Sequence, residues 1–162
     1  MNVFGEKQAV MKKARRMLRE HGWVALSSNI ENLTYTYSAG FSKRFKYPEI
    51  FIVGVGTHEL NVQLINDFGK LLKRGRPEPT SYVNLPGFPN TFALGPVIPQ
   101  EQARPLAPFG TELLGQPFDA MQMFLPDPNG LFPWDAEVHP LYRDYQSALF
   151  EPPAGIAKPK AN

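Results

Sequence analysis

Glu49-Ile50-Phe51-Ile52-Val53-Gly54-Val55 is the stretch on which the fold turns. It is a continuous apolar run of strand length, introduced by Pro48 and closed by glycine, and it predicts a buried central strand. Thr57 follows as the N-cap of a helix whose apolar face is Leu60, Leu64, Ile65, Phe68 and Leu72, with Lys73-Arg74-Gly75 as its stop. Upstream, Glu6 to His21 is predicted as a helix with Val10, Ala14, Met17 and Leu18 as its apolar stripe. Lys12, Lys13, Arg15, Arg16 and Arg19 cover the rest of it, and Gly22 ends it. Trp23 to Leu26 and Thr34 to Ala39 then read as the two strands of an antiparallel hairpin.

Downstream, Pro77 to Pro117 is too rich in proline for long elements. Within it Thr91 to Val97 is predicted as a strand, and Gln100 to Ala103 and Thr111 to Leu114 as helical turns. Ala120 to Leu125 alternates as a last strand, and Leu141 to Phe150 has the character of a short helix. The expected fold class is α+β: one domain over residues 1–150, a mainly antiparallel twisted sheet with two main helices packed on one face. Residues 151–162, made of Pro, Ala, Lys and Gly, are expected to form a disordered tail.

Composition narrows the function. A chain of 162 residues with 43% hydrophobic and 20% charged residues is long enough to bury its own core. The absence of cysteine removes thiolate nucleophiles, disulfides and thiolate metal sites. The first residues lack an apolar signal core, and no run approaches the roughly 20 apolar residues of a membrane helix. The expected location is cytoplasmic, without membrane association. The basic face of the first helix, with Lys70, Lys73, Arg74 and Arg76, reads either as a phosphate-binding surface or as a solvated face. A net charge of +2 is too small to argue for nucleic acid and no interleaved stacking aromatics lie there, so a nucleic-acid partner is not expected.

Two segments concentrate unusual chemistry: Tyr37-Ser38-Ala39-Gly40-Phe41 with Tyr47-Pro48-Glu49, and Pro126-Asp127-Pro128-Asn129-Gly130-Leu131-Phe132-Pro133-Trp134. Glu49 sits where solvent gives way to the core, a place for a general base, for an acceptor of backbone amides, or for a partner of Lys43, Arg44 or Lys46. Ser38 matches four-fifths of a nucleophile-elbow spacing but lacks its first glycine and lies at a strand-to-loop junction. Gly54-Val55-Gly56 resembles the start of a dinucleotide loop, yet Glu59 stands where the third glycine belongs. In the second segment Asp127 is either a turn cap or an acid aimed at a ligand, and Trp134 either an anchor or a stacking wall. Asp135, Glu137 and His139 alternate as a metal set would, although a solvated loop explains them equally, and no metal or other cofactor is expected.

His21-Gly22-Trp23, the Tyr37–Phe41 and Tyr47–Glu49 pieces, and Pro126-Asp127 with Gly130-Leu131-Phe132-Pro133-Trp134 together resemble the bacterial domain-of-unknown-function 4262 family. The family pattern favours Thr where this chain has Ser38, and an aromatic just before Pro-Asp where it has Phe124-Leu125. The resemblance implies small cytosolic proteins of bacteria or mobile elements and brings no reaction with it. The expectation drawn from the residues is a cleft between the Tyr37–Glu49 and Pro126–Trp134 segments that binds a small polar ligand or a protein segment without covalent chemistry. Tyr37 and Trp134 would supply walls, Ser38 a hydrogen bond, and Glu49 and Asp127 charge. The alternatives are an acid–base hydrolase or transferase using Glu49 or Asp127, and a protein–protein antagonist or regulator using the basic helix.

Overall fold

The computed structural model describes residues 3–146. A six-stranded sheet runs through it in the order β1-β2-β3-β6-β5-β4. The strands are β1 (Val24–Ile30), β2 (Leu33–Ala39), β3 (Glu49–Val53), β4 (Tyr82–Asn84), β5 (Thr91–Ile98) and β6 (Ala120–Phe124). Every neighbouring pair is antiparallel except β3 and β6, which run parallel with Glu49 opposite Ala120 and Phe51 opposite Gln122. The α+β class and the mainly antiparallel sheet therefore hold. β1 and β2 meet as expected through a two-residue turn at Glu31 and Asn32, both at positive φ, the geometry that suits the strand twist.

The helices are α1 (Val3–His21), α2 (Phe41–Phe45), α3 (His58–Leu72), α4 (Gln100–Ala103), α5 (Pro108–Leu114) and α6 (Pro140–Asp144). Thr57 caps α3 as its sequence position demands, its hydroxyl accepting from the Leu60 amide at 3.1 Å. The two main helices do not share a face of the sheet. Ile50 and Ile52 pack with Leu64, Ile65, Phe68 and Leu72 of α3. Phe51 and Val53, pointing the other way, pack with Ala14, Met17 and Leu18 of α1 and with α5. The expectation of one covered face is corrected for that reason: a strand apolar at every position needs cover on both sides.

On α1 the buried stripe is offset from the expected one. Met11 and Ala14 are buried, while Val10 is 47% exposed. The α2 turn and the three-residue β4 are elements that local pattern did not announce. The predicted helix at Leu141–Phe150 is observed as Pro140–Asp144, and residues 147–162, including the expected tail, lie outside the described residues.

Candidate functional site

Glu49 begins β3 and is fully buried. Its two oxygens accept five hydrogen bonds. Oε1 takes the Ser38 hydroxyl at 2.7 Å and the Phe41 amide at 3.0 Å. Oε2 takes the amides of Gly40 and Ser42 at 3.1 and 2.9 Å and the Ser42 hydroxyl at 2.6 Å. Ser38 Oγ in turn accepts from the Ile50 amide at 2.9 Å, so its one proton is committed to Glu49. Burial pushes the Glu49 carboxyl above its ordinary pKa, while Ser42, Ser38 and the Gly40 amide pull it back toward the charged form. All five groups are donors, so the arrangement is built around an anion that fastens the first turn of α2 to the central strand. Tyr37 is equally buried, stacked on Phe51 at 5.1 Å with its hydroxyl accepting from the Gly110 amide at 3.2 Å.

Asp127 is a second anchor of the same kind. Oδ1 accepts from the amides of Asn129 and Leu131 at 2.8 and 2.9 Å, and Oδ2 from His139 at 2.9 Å. Desolvation raises its pKa, but the amides of Leu131, His139 and Asn129 together outweigh that and hold it below the ordinary aspartate value. Beside it Trp134 is half-buried, stacked on Phe132 at 5.2 Å and edge-on to Phe124 at 5.2 Å.

The structure brings Ser38 and Glu49 together, while Tyr37, next to Ser38 on the strand, faces the other side of the sheet toward Phe51 and Gly110. Asp127 and Trp134 share one loop, and the two segments do not meet. Glu49 is level with Ala120 at the start of β6, and Asp127 follows its far end. The four strand steps from Ala120 to Phe124 alone cover roughly 13 Å. The expected cleft between the segments is thus corrected: β3 and β6 run parallel, so Glu49 at the start of one and Asp127 beyond the end of the other lie at opposite ends of the sheet. Glu49 and Asp127 cannot serve one reacting centre together. Nor do Asp135, Glu137 and His139 converge: Asp135 accepts from the Phe132 amide at 2.8 Å, and the His139 ring from the Leu141 amide at 3.2 Å. Among the described residues no group of three or more His, Cys, Asp or Glu side chains gathers as a metal site would require.

What the Tyr37–Glu49 segment does border, through Arg44, is a hollow of about 430 Å³ whose lining sets Arg44, Lys70 and Lys73 with one carboxylate, Glu20, beside His21, Trp23 and Asn66. Two of the sequence motifs build it. Gly40, at φ 132°, lets the Gly22–Trp23 backbone come so close that a Cβ there would lie 2.3 Å from the Gly22 carbonyl oxygen. Gly22, at φ 90°, leaves room for the Arg44 side chain, whose Cδ would be 2.6 Å from a Cβ at that position. Trp23 closes the floor, its indole N–H donating to Asn66 at 3.1 Å, and Lys73 Nζ stands 5.3 Å from the ring centre. Lys70 has Asp67 at 3.7 Å. Among the described residues no carboxylate lies within ion-pair distance of Arg44 or Lys73. The sequence set Lys70 and Lys73 with the basic first helix as a phosphate-binding surface, but did not bring Arg44 to them, because α2 and α3 meet only in three dimensions. The available signal was the His21-Gly22-Trp23 motif.

The fold and the site define an α+β domain with an open cation-lined hollow, one wall of which is pinned from behind by a buried carboxylate. The chain belongs to the DUF4262 family, a domain of unknown function, whose model matches residues 17–139. No curated protein and no solved structure matches it. None of the helices described is long and apolar enough to cross a membrane.

Proposed function

We propose that this domain binds a small anionic ligand, carried by carboxylate or phosphate groups, in the hollow between α1, α2 and α3 without covalent chemistry. The observation that carries this reading is the convergence of Arg44, Lys70 and Lys73 over Trp23 in one concavity. Cations gathered without a full complement of counter-charges repel one another, and a bound anion relieves that repulsion. The volume lies within the range of small-molecule sites. Arg44 offers a planar fork suited to a carboxylate or phosphate, and the lysines offer point charges. In this reading the Tyr37–Glu49 segment contributes Arg44 to the hollow, while Tyr37, fully buried on Phe51, is not the expected wall. Ser38 and Glu49 act from behind it as positioning residues, and Asp127 and Trp134 stay outside ligand contact.

The test is calorimetry and thermal shift with a panel of mono- and diphosphate esters and di- and tricarboxylates. At least one class is expected to stabilise the protein, and Arg44→Ala and Lys73→Ala each to weaken it by about tenfold or more, the cost of one charge-assisted bond. Binding that survives the double variant, or no stabilisation by any anion in the panel, sinks the reading.

A further inference from the structure

The charges of this chain are segregated. Thirteen of its seventeen Lys and Arg residues precede Pro77, against six of its fifteen acids, and one of those six is the buried Glu49. The densest part is α1, where Lys12, Lys13, Arg15, Arg16 and Arg19 are all exposed. Lys12, Lys13, Arg16 and Arg19 line one shallow hollow with Ala9, and Lys7, Lys12 and Arg15 border the adjoining one. Lys7 is paired there with Glu112 at 3.2 Å, but no such partner within the described residues meets any of the other five.

This arrangement works against helix stability. The spacings 12–15, 12–16, 13–16, 15–19 and 16–19 each set two cations one turn apart, where like charges repel. Proximity to the helix C-terminus compensates Arg19, but not Lys12 or Lys13, which lie mid-helix. A face that only needed solvation would alternate its signs. One that concentrates a single sign against its own stability is shaped for an external anion.

We infer that the outward face of α1 docks the phosphodiester backbone of nucleic acid, without reading its sequence. Charge complementarity names the partner. The cations recur at one-turn spacing along a single straight element, so several phosphates of one strand are met in succession. An anionic membrane fits less well, because among the residues whose side chains are described the outward face offers Ala9 and Val10 for insertion, where an interfacial helix presents bulky apolar side chains. The absence of stacking aromatics, which spoke against nucleic acid in the sequence, bears on base contacts and not on backbone docking. The face is separate from the Arg44 hollow, and Lys12 to Arg16 precede the residues matched by the family.

The experiment is fluorescence anisotropy of the full chain with a mixed-sequence duplex of roughly 24 base pairs and its single strand, at salt from about 50 to 200 mM. Log affinity is expected to fall linearly with log salt, by roughly 0.9 per duplex phosphate neutralised. The triple variant Lys12→Glu, Lys13→Glu, Arg16→Glu is expected to lose at least about tenfold in affinity and to flatten the salt slope. The neutral variant Lys12→Gln, Lys13→Gln, Arg16→Gln carries the same test with less strain on the helix. No binding to either strand form at the lowest salt overturns the inference, as does binding that both triple variants retain. Capture of phosphatidylserine vesicles or polyglutamate without nucleic acid would likewise overturn it.

Discussion

Gly22 and Arg44 occupy one another's space: a Cβ on Gly22 would stand 2.6 Å from Arg44 Cδ. The absent side chain at residue 22 is what allows the arginine to lie across the end of α1 toward the hollow. Gly22→Ala therefore does two things. It forces a side chain onto a backbone at φ 90°, costing about 1–3 kcal/mol, and it displaces Arg44. Urea denaturation should show the first effect, and anion titration a loss comparable to that of Arg44→Ala. Normal affinity in Gly22→Ala would place Arg44 outside the ligand site.

The Glu49 nest is expected to be the most sensitive polar point in the chain. Glu49→Gln replaces acceptor lone pairs by N–H groups that face amide donors, and stability should fall on the order of 3 kcal/mol. Ser38→Ala removes a donor to Glu49 and an acceptor for the Ile50 amide, and should cost about 1–3 kcal/mol. Because the two share a hydrogen bond, the double variant should lose less than the sum of the singles, which a double-mutant cycle measures directly. Strict additivity would show that Ser38 and Glu49 act independently.

Asp127 gives a pH signature of defined sign. Its pKa is depressed in the folded chain, so its contribution to stability is present above the unfolded aspartate value, about 3.9, and is lost as pH falls through the lower folded value. The stability difference between wild type and Asp127→Asn should be constant near neutral pH and shrink as the solution becomes more acidic than about pH 4. Comparing the two proteins cancels Glu49, whose raised pKa acts in the opposite direction. A difference that grows on acidification would mean that Asp127 is not held as a carboxylate.

Trp134→Ala separates the two ends of the sheet. Losing the stack on Phe132 and the edge contact on Phe124 should cost about 2 kcal/mol, less than a fully buried tryptophan would. Anion binding at Arg44 and Lys73 should be unaffected once the protein is below its melting range. If the variant keeps its fold but loses ligand, the Pro126–Trp134 segment takes part in recognition after all.

Much of the architecture was legible because it is written in short-range pattern. The alternation from Ala120 to Leu125 and the cap at Thr57 are local signals, and those elements formed where they placed them; the hairpin formed too, with β1 running on to Ile30 where the sequence had ended it at Leu26. The placement of helices was legible in principle too, since the unbroken run Ile50 to Val53 requires cover on both faces. The five-residue α2 was not, because it begins at Gly40 and is held by a carboxylate that comes later in the chain. For Glu49 and Asp127 the sequence left backbone anchor and reactive acid both open, because it records a carboxyl group but not which amides point at it. The hollow at Arg44 depends on the close backbone approach of Gly22 and Gly40, and no periodicity carries that information.

Of the six strands described, β6 comes last in sequence, yet it lies between β3 and β5. Without it nothing joins β1-β2-β3 to β4-β5 in the sheet, and each part would end in an open hydrogen-bonding edge. A chain truncated before Ala120 should therefore be prone to self-association, and the insertion of one late segment should set the pace at which the native protein is completed.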